Sequence, residues 1–392
     1  MAPITSSDVD TYCSEPHKQI HFDSRGNLGP CCQYVGERPE VESFEEYLKS
    51  DWLKEFKSRL NSGERVSGCD FCWRQEDNGA KSMRQKRNAY YEDKTDNGIE
   101  HIMITFGNQC NTACRICNAS RSSLIEKQYK EMKDTVEDPN LLKLVSKQHD
   151  WSKSKTWYRN IINDIVDRAD NIRKLEITGG EPFINVHFDR MIDALLESGK
   201  KLPGLNITTN GSFTDEQIQK LKPFDHLHIN YSIDGSGKEF YEYLRWPLKW
   251  EDTIEKINIL KKYDWLTCEF AIVPHNLNLM NLCDSIIWFK DYTDYQDRFK
   301  IGFSWLNGAP WYSLDNSPKW ARDRVVAEIE SSMFVDYTDE EQQQIEELVN
   351  ILQNTKEPHD LDMLKSHIEM TDSYRNCNTW KIIGWHYDEI KQ

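Results

Sequence analysis

From residue 101 onward the hydrophobic period switches repeatedly between the two-residue repeat of a strand and the 3.6-residue repeat of a helix, which limits the fold more than any other feature. Strand-like runs are read at 101–106, 173–178, 204–209, 226–233, 267–273 and 299–305, with amphipathic stretches between them at 185–199, 214–222 and 278–292. Parallel strands need a crossover between them, and a helix is the usual one. The expected class is therefore α/β, a partial (β/α)6 TIM-like barrel whose ligands gather at the C-terminal strand ends. Ahead of it, residues 1–95 read as a small cysteine-rich module with a hairpin turning through 24–29 and one or two amphipathic helices over 43–64. The barrel is expected over 96–310. A helical extension follows over 311–392, with helices at 339–355 and 361–376. The interval 121–172 exceeds an ordinary strand-to-strand connection and is expected to hold the first barrel helix plus an inserted one.

Charge narrows the function. With 49 Lys and Arg against 65 Asp and Glu, the chain carries a formal charge of −16, the wrong sign for a general grip on nucleic acid. No apolar run approaches the length of a membrane span, and MAPITSSDVD lacks the basic patch and apolar core of a secretory signal. A cytoplasmic chain without nucleic-acid or membrane partners is expected. That compartment keeps thiols reduced, so 11 cysteines point to metal or redox chemistry rather than to structural disulfides.

Eight of those cysteines fall in the first third of the chain. Cys110, Cys114 and Cys117 form C-x3-C-x2-C in ITFGNQCNTACRICNAS, directly after the first strand of the alternating series. One short loop carrying three thiolates can hold three corners of an iron–sulfur cubane and leave the fourth iron open; a zinc site borrowing a distant fourth ligand uses the same spacing. At 174–183, KLEITGGEPF runs from a β-branched strand into paired glycines, an acid and a proline. Glycine lets backbone approach a ligand, and the carboxylate of Glu181 suits an ammonium.

The two motifs, in this order, resemble the signature of the radical S-adenosylmethionine (SAM) superfamily. The resemblance implies that Cys110, Cys114 and Cys117 hold a [4Fe-4S] cluster whose open iron binds SAM. It also implies that Gly179, Gly180 and Glu181 face the SAM amino group, and that reductive cleavage of SAM gives a 5′-deoxyadenosyl radical that abstracts a substrate hydrogen. Asn210 and Ser232 are implied at the ribose or methionyl carboxylate, Arg245 as a further carboxylate contact and Val273 against adenine. One departure is Ile116, where the family often has an aromatic residue. Cys13, then Gly26 after twelve intervening residues and Cys31 after four more, followed by Cys69 and Cys72 in GCDFCW, resemble the SPASM and twitch auxiliary-cluster modules, here N-terminal to the barrel. That implies one auxiliary [4Fe-4S] cluster on Cys13, Cys31, Cys69 and Cys72, with a four-cysteine zinc site as the plain alternative. Cys32 adjoins Cys31, but only Cys31 has the four-residue spacing from Gly26. The resemblance favours a peptide substrate, with a small metabolite as the other choice, and an electron donor such as flavodoxin or ferredoxin. Cys377, beyond the barrel, is a candidate hydrogen donor to a substrate radical, alongside Cys268 and Cys283.

Overall fold

The computed structural model describes residues 10–77, 81–91, 98–147, 152–294, 296–306, 308–331 and 337–390. Its contacts divide the chain into two compact units, the first made of Met1–Gly107, Asp150–Ile207 and Gln219–Leu227, the second of Asn108–His149, Thr208–Ile218 and His228–Gln392.

The first unit is built on strands β1 (Gln19–Phe22), β2 (Leu28–Gly29), β3 (His101–Phe106), β4 (Lys174–Gly179) and β5 (Gly204–Thr209), in the order β2-β1-β3-β4-β5. The β3, β4 and β5 strands are parallel, with Ile104 opposite Ile177 and Ile177 opposite Ile207. Ile102, Ile104, Leu175, Ile177, Leu205 and Ile207 are all buried and form the middle of the sheet. The N-terminal hairpin turns where expected. The Asp23 carboxylate accepts the N–H groups of Arg25 and Asn27, and Gly26 takes the left-handed conformation the turn needs. Strand β1 then pairs parallel with β3, His21 opposite Met103, so the hairpin extends the barrel strands. The 43–64 stretch breaks into Phe44–Lys49 and Asp51–Asn61, because Ser43 and Ser50 each cap a helix by accepting the N–H three residues on.

In the second unit β6 (Leu227–Ser232), β7 (Leu266–Ile272) and β8 (Phe299–Phe303) follow one another in order, with β7 and β8 parallel. The outer backbone of β8 is satisfied by side chains: Ile301 N–H donates to Glu341 Oε1 and Phe303 N–H to Gln344 Oε1. Both acceptors lie on the helix Asp339–Gln353, which thereby covers a strand edge that would otherwise present free donors. Leu361, Leu364, Ile368, Ile383 and Trp385 of the C-terminal extension pack against Tyr243, Leu244 and Leu277, and Ile116 of the cysteine loop lies against the same cluster.

The class is α/β with parallel strands, as expected of a partial (β/α)6 barrel, and each of the six expected strands lies within two residues of its expected bounds. The 121–172 interval holds the helices Ser123–Met132, Pro139–Val145 and Ser152–Arg168. Among the described residues no helix is long and apolar enough to cross a membrane.

Candidate functional site: a three-cysteine loop with convergent arginines

The loop carrying Cys110, Cys114 and Cys117 is tied down by backbone and short hydroxyl side chains. Cys110 N–H donates to Ser123 Oγ at 3.1 Å, Ala113 N–H to the Trp246 carbonyl at 2.7 Å and Arg115 N–H to the Leu244 carbonyl at 3.0 Å. The Thr112 hydroxyl lies 3.1 Å from Cys110 Sγ and 3.5 Å from Cys114 Sγ, bringing two thiols to one point. Burial, then repulsion from Cys114 and Cys110, pushes the Cys117 thiol up to about 12. Three thiols thus crowd one another, and the raised Cys117 thiol is one that a bound metal would deprotonate.

Asn210 sits beside this loop. Its Nδ2 donates to Asn111 Oδ1 at 2.9 Å and lies 3.8 Å from Cys110 Sγ, while its Oδ1 accepts from Ser212. Ser232 closes β6 and is half-buried. Arg245 is buried, and its Nη1 donates to Asp234 Oδ2 at 2.8 Å; Val273 N–H donates to the other oxygen of that carboxylate at 3.1 Å. Asn278 adds bonds to the Asp234 and Val273 carbonyls. Asp234, held at φ +60° in an Asp-Gly turn, is the hub joining two expected residues, and the turn dipeptide was its only sequence signal.

In the first unit, the Gly179–Pro182 turn is shaped by sterics. Gly179 has φ +139°, and a Cβ there would lie 2.9 Å from the Phe106 nitrogen, closer than real Cβ atoms come. Gly180 follows it. Glu181 is buried, with its Oε1 accepting the Phe183 N–H at 3.1 Å and so capping the short helix Pro182–Ile184.

The four N-terminal cysteines also converge inside the first unit. Cys13, Cys31 and Cys69 pack into one cluster with Tyr34, Phe56, Val66 and Trp73. Cys13 interacts electrostatically with Cys69 and Cys72, and Cys31 with Cys13 and Cys69. Burial is the leading cause that raises all four thiols, Cys69 to about 12. Cys32 interacts with Arg87 and with Cys31. Among the described residues no three His, Cys, Asp or Glu side chains are drawn to a single ion-binding point. A cubane spreads its thiolates over separate irons, so its ligands stand farther apart than those around one ion.

Cys377 lies in the same unit as the three-cysteine loop. Its Sγ accepts from Arg115 Nη2 at 2.8 Å and donates to Asp372 Oδ1 at 3.2 Å, and Arg115 also pairs with Asp372 at 2.7 Å. Arg115, between two of the loop cysteines, carries a guanidinium 4.4 Å from the Tyr243 ring centroid. Sequence reasoning missed Arg115 and Asp372, whose partners lie more than 250 residues apart in the chain.

Residues 104–286, which contain the loop, the Gly-Gly-Glu-Pro turn and the Arg245–Asp234–Val273 group, match the family described as the radical SAM superfamily. These residues form a radical SAM domain. Related sequences include a probable GTP 3′,8-cyclase of Methanocaldococcus jannaschii, 22% identical over 53% of this chain and 57% of that one. Another is molybdenum cofactor biosynthesis protein 1 of Dictyostelium discoideum, 25% identical over 31% of this chain and 19% of that one. The chain therefore spans less than two thirds of either relative. Among solved structures, anSMEcpe with bound AdoMet aligns at a TM-score of 0.39 and 14% identity over 59% of each chain. Streptococcus suis SuiB bound to the precursor peptide SuiA aligns at 0.36 and 13%, over 84% of this chain and 66% of that one.

The radical SAM family implies SAM and a [4Fe-4S] cluster, and the residues present fit both. Three thiols share one loop. Beside Cys114 stands Arg245, raised chiefly by Cys114 and Asp234 against the opposing effect of burial, with a buried Nε that has no hydrogen-bond partner. A buried donor without an acceptor costs roughly 1–3 kcal/mol, and an anion at Cys114, whether cluster or carboxylate, removes that cost.

Proposed function

We propose that the chain is a radical SAM enzyme that modifies a peptide, with Cys110, Cys114 and Cys117 holding the SAM cluster and Cys13, Cys31, Cys69 and Cys72 an auxiliary [4Fe-4S] cluster. The observation that carries the reading is the packing of Cys13, Cys31 and Cys69 on one apolar cluster, with Cys72 near enough to act on the Cys13 and Cys69 thiols, at a sequence spacing that resembles the SPASM and twitch modules. When bound, the SAM cluster supplies a 5′-deoxyadenosyl radical that takes a hydrogen from the substrate. The chain's own residues do the rest. Gly179, Gly180 and Glu181 receive the SAM amino group, Arg245 neutralises its carboxylate while Asp234 holds the guanidinium in place, and Val273 abuts the adenine. Asn210 braces the cysteine loop through Asn111, and Ser232 is assigned to the nucleoside. Cys377 is proposed as a hydrogen donor, and flavodoxin or ferredoxin as the electron source. Apolar packing around the loop excludes water from a reactive radical.

A second reading, cyclisation of a nucleoside triphosphate, is favoured by the relatives named GTP 3′,8-cyclase. Anaerobic assays with SAM, a reductant and either candidate peptides or GTP separate the two. The expected result is SAM cleavage coupled to a covalent change in a peptide, with exchange from deuterated solvent reporting a mass-neutral epimerisation. Consumption of GTP with every peptide unchanged overturns the peptide reading. The auxiliary assignment has its own check: Cys72→Ala is expected to lose about four of about eight irons per chain and keep reductant-dependent SAM cleavage. Retention of zinc in place of that iron would make the quartet structural.

A further inference from the structure

Arg375 closes the helix Leu361–Arg375 of the C-terminal extension. Its Nη2 donates to Gln128 Oε1 at 2.9 Å, and its guanidinium lies 5.3 Å from the ring centroid of Trp246, whose carbonyl holds the Ala113 N–H of the cysteine loop. Trp246 and Cys117 pack on the same cluster around Ala113 and Tyr129. The remaining guanidinium nitrogens that face inward, Nε and Nη1, are buried and have no hydrogen-bond partner. Among the described residues no carboxylate pairs with this cation. Asp372, one turn earlier on the same helix, is already engaged by Arg115, Cys377 and Thr379. Burial and the charge of Arg115 work against Arg375, while Cys114 and Cys377 are among the groups that favour it.

A buried guanidinium with two idle donors and a second guanidinium as neighbour is an arrangement that folding penalises, unless an anion completes it. An iron–sulfur core held by three thiolates is such an anion, and its sulfurs accept N–H hydrogen bonds. We infer that Arg375 belongs to the cluster site and supplies positive charge and N–H donors to the iron–sulfur group on Cys110, Cys114 and Cys117, raising its reduction potential. Nothing in the motif spacing marks this residue, which lies some 260 positions beyond the loop. The C-terminal extension thereby becomes part of the electron-accepting apparatus, because it carries one of the groups that set how readily the cluster is reduced.

The inference rests on reading the triad as a cluster site, and the test separates the two. Wild-type protein, Arg375→Lys and Arg375→Gln are reconstituted anaerobically, with and without [15N]arginine labelling. The midpoint potential of the SAM cluster and the 15N modulation of its reduced signal in pulsed EPR are then measured. Arg375→Gln is expected to make reduction about ten-fold less favourable, ~59 mV more negative for one electron, with the lysine variant in between. The 15N modulation of the wild type is expected to weaken in Arg375→Lys. If the glutamine variant does not fold, the modulation in the lysine variant decides. Iron bound as in the wild type, with potential and modulation unchanged, overturns the role of Arg375. Wild-type protein that binds no iron at the triad overturns the site itself.

Discussion

Cys114→Ala is expected to lose about four irons per chain and to bring SAM cleavage down to the uncatalysed background while the chain stays folded. The thiol is buried at the centre of the loop, shares the Thr112 hydroxyl with Cys110 and faces Cys117 and Arg245, so its loss removes a corner of the ligand set that no neighbouring group can refill. Folding survives because the loop is anchored by backbone hydrogen bonds, Ala113 to Trp246 and Arg115 to Leu244, which an alanine at 114 leaves intact. Iron content, circular dichroism and chromatographic detection of 5′-deoxyadenosine check the three parts separately. Full iron with normal cleavage would show that the triad is not the ligand set.

The largest effect on stability is expected at Glu341. Its two oxygens take two bonds from Lys290 Nζ at 2.9–3.0 Å, one from Ile301 N–H at 2.8 Å and one from Thr338 N–H at 2.9 Å, and both charged side chains are almost fully buried. Glu341→Leu leaves an ammonium buried without a partner and removes the acceptor of the Thr338 N–H at the N-cap and of the Ile301 N–H on β8, a loss of about 3–5 kcal/mol. Adding Lys290→Met is expected to recover much of it, since two apolar residues remove the stranded charge. Burial pushes the Glu341 carboxyl up, but the bonds from Lys290, Ile301 and Thr338 together outweigh it and hold the group below its ordinary value. A carboxylate lowered on folding stabilises fully above its unfolded pKa, near 4.5, and loses that contribution as pH falls through the folded value. Urea midpoints of the wild type should therefore decline in acid below that point, and those of the double variant should decline less. A single variant within 1 kcal/mol of the wild type would contradict the assignment.

These two cases mark where sequence reasoning succeeds and where it stops. The cysteine loop and the Gly-Gly-Glu-Pro turn are local, so spacing along the chain carries their chemistry, and the six strands announce themselves through runs such as HIMITF whose period is a property of a few neighbouring residues. The 339–355 helix was legible for the same reason, and in the structure it opens on a capping box formed by Thr338 and Glu341. What that glutamate pairs with was not, because Lys290 lies 51 residues away. Nor did the N-terminal hairpin reveal its docking strand, since β1 meets β3 about 80 residues later through contacts that leave no mark in either segment alone. Arg115, Asp372 and Arg375 share that character. Each is an ordinary charged residue in sequence, and its partner comes from distant chain, Asp372 for Arg115 and Gln128 for Arg375.

Two iron–sulfur clusters in a SAM-cleaving chain are expected to show in a metal count paired with a cleavage assay. The chain is purified anaerobically, reconstituted with iron and sulfide, assayed for metal per chain and then incubated with SAM in the presence and absence of a one-electron reductant. About eight irons are expected, with 5′-deoxyadenosine formed only in the presence of reductant. Bound zinc, no iron and intact SAM would contradict it.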